Sequence, residues 1–224
     1  MSPRFAIATG PLGTLSAALV LLLGALSASP AGAQAPVRTR SLELFPGMNV
    51  ISVPLVLPTT HGGPFDAADL TRLTSATFVA RTLARSEAGS PPQTAAGTVL
   101  GAVFEAWVPG LGRRPFALEP GVGYVIQVRR PRTLTLRGTA WPRSVLTRRL
   151  PRGFGSVALP RGVPASETGA SLLRRLGAPF LMRTRPGSDG RARLDLMLPG
   201  PAGGPFGLDD WRGYLTHLPG ARDL

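Results

Sequence analysis

The apolar residues of this chain form one long uninterrupted run near its start and many short runs after it. Residues 12–26 are almost wholly apolar and carry no charge. A helix that crosses a bilayer needs roughly 20 consecutive apolar residues, whereas this run is shorter and is closed by Pro30. Ala33 and Ala35 complete small-x-small stretches of the kind that signal peptidase cleaves. We therefore expect residues 1–35 to be a cleaved signal peptide. The mature protein would be secreted or extracytoplasmic, in the periplasm or at the cell surface, and would meet the membrane only before cleavage.

The short apolar runs after the expected cleavage point predict strands. They are rich in Val and Ile, alternate or run continuously, and lie between glycines and prolines. Strands are predicted over residues 48–53, 77–83, 99–108, 124–128, 133–137, 154–159, 180–185, 191–198 and 214–218.

Two short helices are predicted between these strands. The first begins at Asp66 as the N-cap and places Leu70 and Leu73 on one face. The residues assigned to the second are Ser166 or Thr168 at the N-cap, Leu172, Leu173 and Leu176 on one face, and Gly177 at the end.

A segment of the first half recurs in the second half without a gap. Residues 108–124 and 198–214 both read apolar-Pro-Gly, four residues, Pro-Phe-x-Leu, four residues, Gly-Tyr, at an offset of 90. Farther upstream, Gly47 to Pro54 matches Gly153 to Pro160 at an offset of 106, and Leu70 and Leu73 match Leu173 and Leu176 at an offset of 103. The differences imply three extra residues near 61–63 and thirteen near 86–98 in the first copy. The second copy is expected to end before any equivalent of the strand at 133–137.

These patterns predict a strand-rich α+β fold made of two degenerate repeats. Each repeat would be a small, mostly antiparallel sheet with one short helix, and the two could share one core because units of this size are marginal alone. The expected organisation is a signal peptide over residues 1–35, repeat module 1 over 36–141 and repeat module 2 over 142–224.

The repeated motifs resemble repeat modules of secreted and surface-exposed bacterial proteins, which open with Gly-x-Asn-x-x-Ser-x-Pro and close with Pro-Gly-x-Gly-Tyr. The first copy carries Leu44-Phe-Pro-Gly-Met-Asn-Val-Ile-Ser-Val-Pro54 and Glu119-Pro-Gly-Val-Gly-Tyr-Val-Ile126, and the second keeps fewer of these residues. The resemblance implies a non-catalytic structural or adhesive module of the cell envelope. Its structural signature residues are Gly47, Pro54, Phe116, Gly123, Tyr124, Gly153, Pro160, Phe206, Gly213 and Tyr214.

Composition narrows the possible chemistry. The chain has no cysteine, which excludes thiol chemistry and cysteine metal sites, and all 25 of its Lys-or-Arg residues are arginine. His61 and His217 have no second histidine or carboxylate at metal-ligand spacing, and Asp209-Asp210 is a turn or helix start more readily than a Ca²⁺ site. We therefore expect no catalytic residues, no metal and no cofactor. A secreted hydrolase remains a second alternative function that no motif favours.

Arginine is concentrated between Glu119 and Glu167, an interval without any acidic residue. Such a segment creates a positive field that attracts polyanions. A secreted polyanion-binding protein is therefore the first alternative function, with an anionic envelope polymer or another surface protein as partner. Sequence-specific nucleic-acid binding is not expected, because aromatic residues are sparse here and no reading motif is present. The candidate polyanion-binding residues are Arg129, Arg130, Arg132, Arg137, Arg143, Arg148, Arg149 and Arg152.

Overall fold

Short antiparallel strands dominate the computed structural model, as the alternation of apolar residues predicts. The structure describes residues 35–59, 62–83, 98–99, 102–112, 114–142, 149–150, 152–159, 167–200, 206–209 and 211–223. The first 34 residues, and with them all but the last residue of the predicted signal peptide, lie outside the described residues. Pro36–Leu224 form one compact unit.

Two short helices and a series of strands are described. The N-terminal half, residues 36–141, contains β1 (Val37–Leu44), β2 (Gly47–Ser52), β3 (Leu55–Val56), α1 (Ala67–Thr74), β4 (Phe78–Leu83), β5 (Thr98–Val99), β6 (Ala102–Trp107), β7 (Gly123–Val128) and β8 (Arg132–Ala140). The C-terminal half, residues 142–224, contains β9 (Arg149–Leu150), β10 (Gly153–Ala158), α2 (Gly169–Leu176), β11 (Leu181–Pro186), β12 (Ala192–Met197), β13 (Gly213–Leu218) and β14 (Arg222–Asp223).

The described strands form three small sheets and one two-stranded ladder, and all the pairings are antiparallel. The strand orders are β1-β8-β3, β2-β7-β4-β6-β5, β10-β13-β11-β12 and β14-β9. The strand-rich α+β prediction is confirmed at this level. The predicted strand over residues 99–108 is wrong as a single element, because the chain reverses there and β5 pairs with β6.

Both helices begin and end as their sequences predict. Asp66 caps α1 and Thr168 caps α2, and each side chain accepts a hydrogen bond from a backbone N–H three residues later. The residues after the helices, Ser75 and Gly177, adopt the left-handed conformation that ends a helix. Because the two N-caps are 102 residues apart, the helices correspond at an offset of 102 and not at the predicted 103.

This shift changes which leucines face inward. At an offset of 102, Leu70 corresponds to Leu172, and both are fully buried. Leu73 corresponds to Arg175 and is 54% exposed, so its predicted place on the inner face is wrong. The first loop of the N-terminal half is therefore longer by four residues and the second by twelve.

The C-terminal half also contains the start of a pairing that the sequence was expected to lack. Leu44 of β1 pairs with Arg132 of β8, and Leu150 of β9 pairs with Arg222 of β14. Leu150 corresponds to Leu44 at an offset of 106, and Arg222 corresponds to Arg132 at an offset of 90. These are the same offsets that relate the flanking motifs of the two halves. The expectation that the second copy ends before any equivalent of β8 is wrong, because β14 occupies that place.

Buried residues form two clusters, one under each helix. The first contains Leu70, Tyr124 and Ile126, and the second contains Leu172, Leu181 and Tyr214. Trp211 belongs to the C-terminal half in sequence but lies in the first cluster. The two halves are therefore interlocked.

Contacts between the halves run in both directions between corresponding residues. Backbone N–H groups of β2 and β10 donate to acceptors in the other half: Ser52 to Trp211 O (3.0 Å), Ala158 to Gly121 O (3.3 Å), Val50 to Thr184 Oγ1 (2.8 Å) and Ser156 to Thr82 Oγ1 (3.0 Å). The signature glycines lie at the same junction. A Cβ at Gly213 would come within 2.6 Å of the carbonyl oxygen of Ile51, and one at Gly123 within 2.9 Å of Ser156 Cβ. The Gly of each Gly-Tyr pair thus permits close approach of the opposite half.

Candidate functional site

Three of the predicted polyanion-binding arginines lie together at the turn between β7 and β8. Arg129 and Arg130 occupy the turn, Arg132 begins β8, and all three are exposed. With Thr74 and Ser75 at the end of α1, they line an open pocket of about 270 Å³. Within the described part of the chain, none of the three forms an ion pair with a carboxylate. The pocket can therefore accept an anion without displacing an acidic side chain.

Arg132 lines the pocket beside Ser75 at the end of α1, at the position that corresponds to Arg222 in the C-terminal half. The C-terminus of an α-helix carries a partial negative charge that favours nearby cations. Arg222, which occupies the corresponding place in the C-terminal half, puts its Nη2 3.4 Å from where a Cβ on Gly177, the residue ending α2, would lie. By this correspondence Arg132 lies near the negative end of α1, while Arg129 and Arg130 occupy the turn itself.

The remaining predicted arginines do not join this pocket in the described structure. Arg137 is exposed on the outer face of β8, opposite Thr39, roughly 16 Å along the strand from Arg132. Arg152 is exposed before β10, and only the backbone of Arg149 is described, paired with Asp223. Arg143 and Arg148 lie outside the described residues.

Two arginines that sequence reasoning did not single out each contact both a carboxylate and an aromatic ring in the described structure. Arg81 of β4 donates to Glu105 (2.7 Å) and to Glu119, and its guanidinium lies 4.8 Å from the centre of the Phe116 ring. Burial alone would lower the pKa of Arg81. The hydrogen bonds and charges of Glu105 and Glu119 outweigh this effect, so the pKa lies above the ordinary value of an arginine. This arginine is held as a structural cation.

Arg183 of β11 repeats that arrangement in the C-terminal half. Its guanidinium lies 4.1 Å from the centre of the Phe206 ring, contacts Asp195 at 3.5 Å and donates to Gly207 O at 3.1 Å. The Pro-Phe motifs and the acidic residues Glu105 and Asp195 recur at an offset of 90, but that pattern does not identify the arginine they surround. Both phenylalanines are buried beneath an arginine and are therefore core residues.

The two signature tyrosines are also core residues. Tyr124 and Tyr214 are fully buried, and each ring stacks on the phenylalanine of its own half with centroids 6.2 Å apart. The hydroxyl of Tyr214 accepts a hydrogen bond from Asp209 N–H at 2.7 Å, and burial raises the pKa of Tyr214 to about 12. Trp211 is buried as well, so these rings offer no open stacking surface for a sugar.

The other signature residues hold turns and junctions. Gly47 and Gly153 begin corresponding strands with φ of 114° and 107°, a backbone region that favours glycine. Pro54 is buried, and Pro160 lies outside the described residues.

His217 and Asp209, the described histidine and aspartate that the sequence offered for metal binding, take part in a sheet and in a turn. His217 is paired with Phe154 in the sheet, and Asp209 accepts from Trp211 N–H in the turn before β13, as a turn residue does. His61 and Asp210 lie outside the described residues. No group of three or more His, Asp and Glu residues in the described ranges is arranged to hold a metal ion. Among those same residues, no helix has the length and apolar character needed to cross a membrane.

Comparison of the chain with protein-family models, with curated proteins and with solved structures found no match.

Proposed function

We propose that this protein is a non-catalytic module of the secreted or cell-envelope space, built from two degenerate repeats and used for structural attachment or adhesion. The observation that carries the proposal is the reuse of the same polar contacts in both halves. Arg81 and Arg183, and Thr82 and Thr184, hold corresponding positions and make corresponding bonds. Side chains that could have served chemistry are thus engaged in holding the scaffold.

Expression of the full chain with a C-terminal tag in a bacterial host tests the proposed extracytoplasmic location. We expect the tagged protein in the extracytoplasmic fraction, with a new N-terminus after Ala33 or Ala35 by mass spectrometry. Substituting Leu21→Arg and Leu22→Arg in the apolar run should leave the protein uncleaved in the cytoplasm. Full-length protein in the cytoplasm of cells expressing the natural sequence would contradict the proposal.

A second candidate function, polyanion binding, is favoured by the pocket at the β7–β8 turn. Arg129 and Arg130 are exposed there and have no described carboxylate partner. Guanidinium groups bind phosphate, sulfate and carboxylate through paired hydrogen bonds, and such binding weakens as salt screens the charges. The ligand class would be an anionic polymer of the envelope, with no sequence-specific nucleic acid.

Retention on heparin resin measures this second function. Arg129→Ser combined with Arg130→Ser should elute at clearly lower salt than the natural protein. Arg174→Ser combined with Arg191→Ser removes the same charge from exposed positions elsewhere and should shift elution much less. Equal shifts for the two double variants would mean that net charge alone governs retention, and the site would be rejected.

A further inference from the structure

Exposed apolar side chains gather where the start of β2 meets β12. The two segments adjoin there, because Ala192 N–H donates to Pro46 O at 2.8 Å. Met48 follows in β2 and is 49% exposed, while Leu194 and Leu196 follow in β12 and are 43% and 51% exposed. Met48, Leu194 and Leu196 are called the apolar patch below.

The other junction between the halves indicates that Met48 and Leu194 are neighbours. Met48 corresponds to Phe154 at the offset of 106, and Leu194 corresponds to Phe104 at the offset of 90. The rings of Phe104 and Phe154 lie 6.2 Å apart, and both side chains are only partly exposed. Aromatic rings thus cover each other at one junction, whereas smaller apolar side chains at the corresponding junction are left exposed to water.

Arginines lie on two sides of the apolar patch. Val128 of β7 pairs with Gly47, the residue before Met48, and Arg129 and Arg130 follow directly in the β7–β8 turn. The hairpin of β11 and β12, which carries the two leucines, has more basic than acidic residues: Arg183, Arg185, Arg191 and Arg193 against Asp189 and Asp195. The patch therefore lies in a region of positive potential, which favours an anionic partner.

The arginines of the β7–β8 turn are not required to form that turn. The corresponding turn between β13 and β14 contains Pro219 and Gly220, which stand 90 residues after Arg129 and Arg130. The same scaffold therefore makes this turn without cationic side chains. In the N-terminal half, the two guanidinium groups instead supply positive charge to the open pocket at the end of α1.

We propose that this surface binds an anionic lipid bilayer, with Arg129 and Arg130 on headgroup phosphates and the apolar patch inserted beside them. The proposal rests on the second candidate function, anion binding at the β7–β8 turn, and names a lipid surface as the ligand. The protein would then meet a membrane after cleavage of its signal peptide as well as before it.

The combination of charge and apolar surface favours lipid over a soluble polymer. Guanidinium groups bind phosphate through paired hydrogen bonds, and each arginine near an anionic leaflet gains further attraction. Apolar side chains next to cationic ones are typical of protein surfaces that lie in the membrane interface. A soluble acidic polymer would contact the arginines and leave the apolar patch in water, whereas a bilayer buries it.

Fluorescent labelling tests the insertion directly, since the natural chain contains no cysteine. Met48→Cys and Leu196→Cys proteins are labelled with the polarity-sensitive fluorophore nitrobenzoxadiazole and mixed with vesicles of phosphatidylglycerol and phosphatidylcholine. We expect both labels to emit at shorter wavelength and to be unchanged by vesicles of phosphatidylcholine alone. Leu111→Cys, at a 59% exposed position after β6, three strands away from β2, should not shift. Unshifted labels at 48 and 196, or equal shifts with both kinds of vesicle, would overturn the proposal.

Co-sedimentation with the phosphatidylglycerol vesicles measures which side chains bind. Leu194→Ser combined with Leu196→Ser should weaken vesicle binding about tenfold, because two half-exposed leucines are no longer buried, and should leave retention on heparin unchanged. Arg129→Ser combined with Arg130→Ser should weaken both, and Leu111→Ser should weaken neither. Vesicle binding that is unchanged by serine at 194 and 196 would overturn the proposal.

The lipid ligand and the polyanion site fail in different ways. Heparin retention that depends on Arg129 and Arg130, without sedimentation of the natural protein with vesicles, would overturn the lipid ligand and leave polyanion binding in place. Heparin retention and vesicle binding that are both unaffected by the loss of these arginines would overturn both.

Discussion

The buried hydroxyl of Tyr214 makes the stability of the folded protein depend on pH. Its pKa is raised to about 12, mainly by burial, while an unfolded tyrosine titrates near 10. The folded state therefore keeps its proton where the unfolded state loses it. The stability that Tyr214 contributes is complete below about pH 10 and is lost as pH rises toward 12.

We predict that Tyr214→Phe flattens this alkaline loss of stability. At neutral pH the variant should be less stable by about 1 kcal/mol, because Asp209 N–H loses its acceptor while the ring packing remains. Between about pH 10 and 12, its free energy of unfolding should fall less steeply than that of the natural protein. Urea unfolding at several pH values measures both effects, and parallel curves for the two proteins would contradict the assignment.

At this same scale, the sequence identified the tyrosines and phenylalanines as packing residues but missed their arginine partners. Arg81 and Arg183 are two among 25 arginines, and neither stands in the repeated motif that the sequence displays. Only the sheet register brings Arg81 opposite Glu105, and Arg183 opposite Asp195. A cation–π contact that spans more than twenty residues is therefore invisible to local pattern analysis.

The sequence predicted that two helices exist, but it did not predict which residues of α1 correspond to which residues of α2. Asp66, Thr168 and Gly177 can be recognised in the sequence because their capping hydrogen bonds join residues only three or four positions apart. Leu70 by itself can match Leu172 or Leu173, but the three-residue spacing of Leu70 and Leu73 matches only Leu173 and Leu176, which favours an offset of 103. The caps resolve this choice, since a capping side chain must stand three residues before its donor.

The two leucines of α1 should therefore respond very differently to truncation. Leu70 is fully buried, so Leu70→Ala should cost about 3 kcal/mol through lost burial and the cavity left behind. Leu73 is largely exposed, so Leu73→Ala should cost less than about 0.5 kcal/mol. Chemical unfolding of the two variants gives both values, and a large cost at Leu73 would restore the offset of 103.

At the scale of the whole molecule, the sequence contains a motif that recurs in its two halves, but it could not show that the halves interlock. Trp211 completes the core beneath α1, and Gly213 follows two residues later at the junction with β2. Neither contact has a local sequence signal, because each joins residues some 160 positions apart. Interlocking of this kind predicts that damage in one half is felt in the other.

Gly213→Ala tests this coupling. The added Cβ would lie 2.6 Å from the carbonyl oxygen of Ile51, so the backbone must shift, and we expect a destabilisation of at least about 2 kcal/mol. Trp107, Trp141 and Trp211 all contact the N-terminal half, through its core or through the Val53 carbonyl, so tryptophan fluorescence reports on that half. Far-UV circular dichroism reports on both halves.

Because the halves share these contacts, the two signals should shift together in urea and remain one transition. The matched control is Gly207→Ala, since an added Cβ there meets nothing within 4 Å and the variant should unfold like the natural protein. If Gly213→Ala shifted the circular dichroism while the fluorescence transition stayed in place, the N-terminal half would be folding independently. The reciprocal bonds between β2, β10 and their opposite halves argue against that outcome, because losing either partner leaves backbone N–H groups of the other without acceptors.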